Sequence, residues 1–554
     1  MKEEVIISVS NPTKSNIFLK RSLFILSILV ISLLSVFIGL WQFKTPEIIP
    51  KNAAKDQFSA ERAVELLDEI AVKPRPIGSP EHDRIRDYLL SALTDLGVSP
   101  KIQIVEDNLT VRGVPYEGKV ENIVARISGE DSSGAIMITS HYDSEVNSPG
   151  AADAGSGVVA ILETVRALTE SPHLKNDLII LISDGEEIGL LGAQAFVQGH
   201  PWAKDVDIVL NFEARGSGGP SVLFETNDEN ERLVAEFAKA ATNPITHSFI
   251  YDLYKTMPND TDLSIYKSFG MYGLNFGFFV GLFGYHTPED TVENLNKGSL
   301  QHHGDNMLDL VHHFGNLDLI AQKDGKSLYF NVLGKKVVTY SEKYVIPIMI
   351  LAFILFVVTF LFGYTHKRIT IVGAGIGFLL FLLIIVLAFF AGESILACIS
   401  IITNADKWTI SAYPTISNPV FIAIILIVFS LMVAIYYLVL KRINATDLTI
   451  GGFFGWFILV FVSSMFFKGS SYVFVWPFII GVISLNFYLY LKEEFGIKGK
   501  LLALGMIIPP LILTVPIIYL VFALLTLQHT GILISITSLL IIFLIPALNQ
   551  IQKT

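Results

Sequence analysis

The run Ala135-Ile136-Met137-Ile138-Thr139 leads into Ser140-His141-Tyr142-Asp143, and ten residues later Asp153 sits in Ala151-Ala152-Asp153-Ala154-Gly155-Ser156-Gly157. The apolar run reads as a short buried strand and its polar tail as the loop at the strand's end. Gly155-Ser156-Gly157 opens a helix through Leu168. The same alternation extends outward in both directions. Before it, 122–127 reads as a strand, and 60–70 and 82–96 as amphipathic helices parted by the turn residues Pro74, Pro76, Gly78 and Pro80. After it come strand 177–183, a helix around 189–198, strand 206–212, a helix around 229–242 and strand 273–280. Strands alternating with helices specify the α/β class, here a mixed sheet covered by helices on both faces. Ligands in such sheets gather at the carboxyl ends of the strands.

The residues just past those ends are polar in an unusual way. Strand 135–139 empties into His141 and Asp143, with Asp153 beyond; strand 177–183 empties into Asp184-Gly185-Glu186-Glu187. Strand 206–212 ends at Glu213, in Asn211-Phe212-Glu213-Ala214-Arg215-Gly216, and the last strand feeds Tyr285-His286-Thr287-Pro288-Glu289-Asp290. Two histidines and four carboxylates converging at one sheet edge carry an excess of negative charge that is costly to bury unless cations neutralise it. Imidazole with carboxylate is a zinc-type ligand set, and five ligands with one carboxylate shared can hold two ions. One of the adjacent pair Glu186 and Glu187 then stays free to face an attacking water.

Beyond this domain, the 554-residue chain is 52% hydrophobic, with more apolar sequence than a soluble domain needs. An apolar segment at 22–43 has no small-x-small cleavage site and reads as a retained anchor rather than a signal peptide. Seven more follow near 344–364, 369–392, 419–440, 449–467, 471–491, 501–527 and 532–548, for eight spans in all. The expected organisation is a cytoplasmic tail (1–21), an anchor (22–43), a catalytic domain (52–325), a linker (326–343) and a polytopic α-helical membrane domain of about seven helices (344–551). Lys2, Lys14, Lys20, Arg21, Lys367, Arg368, Lys441, Arg442, Lys492, Lys498, Lys500 and Lys553 fall on one side, and only Lys407 and Lys468 lie in short loops on the other. The positive-inside rule therefore puts both termini in the cytoplasm and the catalytic domain outside it. Residues 44–343 carry 26 basic and 44 acidic side chains, a balance that argues against a nucleic-acid partner. The single cysteine, Cys398, permits no disulfide within the chain. Abundant Ile, Phe, Lys and Asn point to an AT-rich bacterial source and its cell membrane, with a vacuolar or endoplasmic reticulum membrane the alternative for a eukaryotic source; the glycosylation sequons at Asn108, Asn259 and Asn444 do not decide between them. The C-terminal spans are nearly free of ionisable residues, with Glu393 at a boundary, so the membrane half reads as an anchor rather than an ion-coupled transporter. Pro509, Pro510 and Pro516 should kink or interrupt the seventh span, which could shape a lipid or peptide groove.

The polar residues, in this order, resemble the M28 family of co-catalytic zinc peptidases. Pro76-Ile77-Gly78-Ser79-Pro80-Glu81-His82, Gly189-Leu190-Leu191-Gly192-Ala193 and Pro258-Asn259-Asp260-Thr261-Asp262 extend the resemblance over about 270 residues. The membrane half is similar in architecture to the multispanning endoplasmic reticulum and vacuolar members, which are usually described with nine spans. The resemblance implies a zinc exopeptidase-like fold, a peptide substrate and two Zn2+ ions. Asp153 would bridge them, His141 and Glu213 completing one site and Glu187 and His286 the other. Glu186 would be the general base, Asp143 would accept the second ring N–H of His141, and Tyr285 would donate its hydroxyl to the oxyanion. Arg215, Asn259 and Asp262 are candidates for the substrate cleft. The chain departs from the aminopeptidase pattern at Glu213, where those enzymes generally carry Asp. Removal of N-terminal residues is the favoured activity, with carboxypeptidase specificity, glutaminyl-cyclase-like acyl transfer and a non-enzymatic receptor or scaffold as the alternatives.

Singly, each residue has a plainer reading. Glu186 and Glu187 suit a solvated helix N-terminus, Glu213 an ion pair with Arg215, Tyr285 simple packing, and Asn259 and Asp262 a capped turn. His302, His303, His312 and His313 fall on a helix over 298–317, where surface exposure accounts for them.

Overall fold

The computed structural model describes residues 14–106, 109–111, 113–319, 325–333, 336–490 and 497–553. Residues 1–13 of the expected cytoplasmic tail, the sequon at Asn108 and Lys492 lie outside them.

A long helix α1 (Lys14–Trp41) precedes the α/β domain. Helix α2 (Ala60–Ile70) starts where Ser59 accepts from the Arg62 N–H, and it buries Ala60, Ala63, Val64, Leu67 and Ile70, one stripe at helical spacing. Helix α3 (Pro80–Asp95) is capped by Ser79 with Pro80 in its first turn, which is why the proline cluster ends there. Strands β1 (Lys101–Val105), β2 (Thr110–Val111), β3 (Val114–Pro115), β4 (Val120–Ile127) and β5 (Ala135–His141) follow, then α4 (Gly157–Thr169), β6 (Asp177–Ser183), α5 (Leu191–Gly199), β7 (Val206–Ala214) and β8 (Val222–Thr226). The domain closes with α6 (Glu231–Ala240), α7 (Ser248–Tyr254), α8 (Asp262–Ser268), β9 (Tyr272–Phe278) and α9 (Lys297–Gly315).

The main sheet has seven strands in the order β1-β4-β6-β5-β7-β9-β8. The central four, β6, β5, β7 and β9, are parallel, and antiparallel strands flank them. Alternating residues of β5 supply two cores: Ile136 and Ile138 pack with the α4 and α9 side, Ala135 and Met137 with the α5 and α8 side. The sheet is thus mixed and covered on both faces, as the alternation predicts. The edge strands β1 and β8 and the short helices α7 and α8 carry too little periodicity to be read from sequence. The stretch expected as a linker forms a hairpin, β10 (Ser327–Val332) with β11 (Lys336–Ser341).

The membrane half comprises α10 (Val345–Thr365), α11 (Ile371–Thr403), α12 (Lys407–Ala412), α13 (Pro414–Val439), α14 (Ala445–Phe466), α15 (Tyr472–Tyr490), α16 (Ile497–Gly505), α17 (Ile508–Leu525), α18 (Thr530–Leu539) and α19 (Ile545–Lys553). Among the described residues, seven helical stretches rather than eight are long and apolar enough to cross a membrane, because the last two expected spans merge into one run of 56 residues, Ile497–Gln552. A straight helix of that length would reach about 84 Å, nearly three times the hydrocarbon thickness. The run instead turns back near Thr526 (φ 52), so that α16 packs against α19 and α17 against α18.

Helices α11 and α14 approach through glycines. A Cβ at Gly451 would lie 2.1 Å from the Ala374 carbonyl oxygen, and one at Gly377 would lie 2.8 Å from Leu448 Cα. Small residues are what permits such backbone approach between spans. Gly451→Val should therefore destabilise the bundle by about 1–3 kcal/mol through overpacking. Gly375, with nothing within 4 Å of its added Cβ, is the control. Thermal unfolding in detergent should fall for the Gly451 variant and not for Gly375→Ala.

Candidate metal centre

The carboxyl ends of the four parallel strands share one sheet edge, and the polar residues expected past them meet there. His141 closes β5 and Glu213 lies near the end of β7, both set by strand register. Gly185, at φ 64, turns the chain sharply after β6 and presents Glu186 and Glu187. His286 occupies the loop after β9, itself at φ 56, a left-handed conformation in which histidine is enriched.

Asp153 faces both imidazoles. Its Oδ1 lies 3.3 Å from His141 Nε2 and its Oδ2 3.2 Å from His286 Nε2. His141 Nε2 is also 3.4 Å from Glu213 Oε2, and His286 Nε2 is 3.2 Å from Glu187 Oε2. The result is two imidazole–carboxylate groups joined through one aspartate. His141 Nε2 is buried and makes no hydrogen bond. Ligand atoms around a tetrahedral ion with bonds of about 2.0–2.2 Å stand about 3.3–3.6 Å apart, close to the spacing seen in both groups. The donor set, the orphaned nitrogen and the spacing fit zinc. His141, Asp153 and Glu187 form one group able to hold a metal ion, and Glu145, Glu187 and His286 another.

Hydrogen bonds from farther out hold this arrangement. His141 Nδ1 donates to the Asp143 carbonyl (3.1 Å), with the Asp143 carboxylate at 3.4 Å. The same carboxylate accepts the backbone N–H groups of Glu186 (3.1 Å) and Glu187 (3.2 Å), tying the β5 loop to the β6 loop. Asp290 accepts from the Ala152 and Asp153 N–H groups at 2.7 and 3.1 Å and so orients Asp153. Asn211 donates to Glu213 Oε1 (3.2 Å) and to Asn275 (3.0 Å). His303 is buried on α9 and bonds the Glu213 carbonyl through Nε2 (3.0 Å) and Ser221 through Nδ1 (2.6 Å). Arg75, fully buried, donates to the carbonyls of Tyr142, Pro149 and Gly150 and clamps the loop that delivers Asp153.

Electrostatics follow from crowding. Desolvation pushes the Glu186 carboxyl well above the usual range, with Glu213, Glu187 and Asp262 adding to the rise against the pull of His141. Glu187 is raised to about 7 by desolvation and by Asp153. Desolvation works to raise Asp153 as well, yet the two imidazoles beside it outweigh that and hold it down, to about 2. Burial lowers the His303 imidazole to about 3, so it is neutral and serves as a structural bridge.

Among the cleft candidates, Arg215 and Asn259 line a cavity of about 730 Å³ together with Asp153, Glu186, Glu187, Glu213, Tyr285 and His286. Asp262 does not reach it: it is buried in the first turn of α8 and accepts from Ser183 Oγ at 2.5 Å. Arg215 leaves Glu213 and lies over the Tyr285 ring, 5.8 Å from its centroid, while Tyr285 stacks on His286 at 3.8 Å. The histidines of α9 divide. His302 and His303 are buried rather than exposed, because the helix turns that stripe toward the sheet, whereas His313 is partly exposed and pairs with Glu236. Sequence reasoning passed over Arg75, Glu145, Asn211 and Asp290; Arg75 within the proline cluster and Asp290 within the His286 segment were the available signals.

Fold and site together define an α/β domain with a candidate two-metal centre at the carboxyl edge of its sheet. Residues 122–311, within this domain, match Peptidase family M28. It is similar to endoplasmic reticulum metallopeptidase 1 of Mus musculus, 28% identical over 501 residues, covering 83% of this chain and 55% of that protein. It is also similar to the vacuolar membrane protease of Candida dubliniensis (strain CD36), 32% identical over 300 residues, covering 52% of this chain and 31% of that protein. The chain thus spans 55% of the mouse relative's length. Among solved structures, a Zn-dependent exopeptidase from Parabacteroides distasonis ATCC 8503 is 20% identical with a TM-score of 0.39, covering 47% of this chain and 99% of that one.

The Arg75 clamp yields a stability test. Arg75→Met leaves three buried carbonyls without a charged donor and should cost roughly 3 kcal/mol or more. Arg75→Lys should not restore it, since a point charge cannot bridge three acceptors as a guanidinium does. Chemical or thermal denaturation of both variants checks this.

Proposed function

We propose that this chain is a membrane-anchored, two-zinc exopeptidase that removes N-terminal residues from peptides, its catalytic domain (52–325) on the non-cytoplasmic side. The observation that carries the reading is the pair of imidazole–carboxylate groups sharing Asp153, with Glu186 beside them on the cleft wall. Bound zinc would supply Lewis acidity toward water and the scissile carbonyl, held by His141, Asp153 and Glu213 on one side and by Asp153, Glu187 and His286 on the other. Glu186 takes the proton of the attacking water and returns it to the leaving amine. Asp143 fixes the His141 ring by holding its Nδ1–H. Tyr285, which desolvation and the surrounding carboxylates keep protonated, donates its hydroxyl to the oxyanion. Asp260, on the cleft wall and outside both ligand sets, favours a free α-amine over a carboxylate in the substrate. A second reading, carboxypeptidase action, draws on Arg215, whose buried Nε lacks a hydrogen-bond partner and whose guanidinium suits a terminal carboxylate.

The same fold supports the topology. Arg21 bonds the Tyr437 hydroxyl (2.8 Å), Gln552 bonds the Tyr437 carbonyl, and Arg368 bonds the Leu489 carbonyl, so the basic ends of several spans and the C-terminal helix gather on one face. Because α16 and α19 meet, the 56-residue run begins and ends on that face. On this reading it crosses twice, and the seven apolar stretches make eight crossings among the described residues.

Glu186→Gln should retain zinc by metal analysis and lose turnover by roughly 10²–10⁴-fold. Loss of metal with activity would remove Glu186 from its assigned role. Chelation should abolish hydrolysis and added zinc restore it. Free-amine peptides should be cleaved and N-acetylated ones spared; cleavage that requires a free C-terminus would favour the Arg215 reading, and ammonia release from N-terminal Gln without hydrolysis would mark acyl transfer. A reporter at residue 50 should be accessible from the non-cytoplasmic side, and a cytoplasmic signal would overturn the topology.

A further inference from the structure

The cleft is not walled by the catalytic domain alone. Leu524, in the last turn of α17, lines it beside Phe224, Ile250, Tyr254 and Phe279 of the catalytic domain. With Leu520 these side chains form one apolar cluster that runs from the soluble domain into the bundle. The contact is braced at several points. Helix α7, which supplies Ile250 and Tyr254, is bonded to the loop between α14 and α15, where Ser248 Oγ donates to the Gly469 carbonyl (2.6 Å) and Ser470 Oγ donates to Asp252 (2.9 Å), and His247 just before α7 meets through Nδ1 the hydroxyl of Tyr472 at the start of α15 (3.1 Å). Phe283, two residues before Tyr285, stacks on Tyr413 between α12 and α13, with centroids 5.1 Å apart.

We infer that Leu524 is a specificity-determining residue: with Phe224, Ile250 and Phe279 it forms an apolar subsite that receives a bulky apolar side chain flanking the scissile bond. The inference rests on the peptidase reading above and adds to it a role for the membrane domain in substrate choice. An apolar wall distinguishes side chains by the methylenes it can bury, worth roughly 10–200-fold in kcat/KM for each group. Leu524 is only 7% exposed and Phe224, Ile250 and Phe279 beside it carry no polar side-chain atom, so a polar side chain placed there would lose its water with only the Tyr254 hydroxyl to receive it.

The test uses the full chain in detergent and two peptides that differ only in the terminal residue, Leu or Ala. Leu524→Asp should reduce the preference for Leu over Ala by roughly tenfold or more, chiefly through KM, and Leu524→Met should restore it. Equal loss for both peptides, or an unchanged preference, overturns the inference. A second measurement requires neither turnover nor Leu524→Asp. In a Cys398→Ser background, which removes the chain's only cysteine, Leu524→Cys should react with a small methanethiosulfonate reagent. A Leu-containing peptide amide should protect the thiol better than its Ala counterpart. Failure to react, or absence of protection, also overturns the inference. A wild-type chain that hydrolyses no peptide while the thiol is still protected would instead reject the peptidase reading and leave the subsite standing.

Discussion

Asp153, Glu186, Glu187 and Glu213 crowd one sheet edge with Asp143, Asp262 and Asp290 close behind, and this repulsion is the constraint around which the domain is organised. Unpaired carboxylates in a desolvated place would protonate or pull the loops apart. The chain counters them with two imidazoles, a buried guanidinium and a set of backbone N–H donors, and leaves space of ligand dimensions between the nitrogen and oxygen atoms. Parallel strands are what bring so many like charges to one edge. Each β–α crossover returns the chain to the same end, so successive loops deliver successive ligands.

The same economy appears in the polar residues behind the site. Arg75 uses its planar donors on three carbonyls of one loop, Asp290 accepts two consecutive N–H groups at Asp153, and His303 links α9 to the carbonyl of Glu213. None of these residues is placed to react with substrate. They convert a loop, normally a mobile element, into a support of the rigidity that ligand spacing demands.

The two halves meet as parts of one structure. An acidic catalytic domain sits on an apolar bundle, with hydrogen bonds, two aromatic stacks and a shared apolar cluster at the junction. Reading the membrane half as an anchor followed from its lack of ionisable residues, which speaks to ion transport and is silent about packing. What the bundle offers the cleft is a leucine, and no composition argument marks one leucine among so many.

The strong periodic elements were legible in the chain itself. Strand 177–183 and helix 60–70 coincide with β6 and α2, because apolar runs with clear turn residues at either end have few alternatives. His141, Asp153, Glu186, Glu187, Glu213 and His286 were legible as a set, since polar residues directly after apolar strands must lie at the sheet's carboxyl edge. Less legible were the edge strands β1 and β8, the doubled-back course of 497–552, and the burial of His302 and His303. Each depends on which neighbour an element meets, and a helix carrying four histidines reads alike whether it faces water or a sheet. Local sequence thus determined which residues are polar, where strands end and how much of the chain must enter lipid. Tertiary structure decided which of them touch: that Asp262 lies behind the site, that Arg215 turns to Tyr285 rather than Glu213, and that Leu524 lines the cleft. Those outcomes come from long-range packing, in which a side chain's partner is set by the approach of segments hundreds of residues apart, and nothing in its own vicinity along the chain records it.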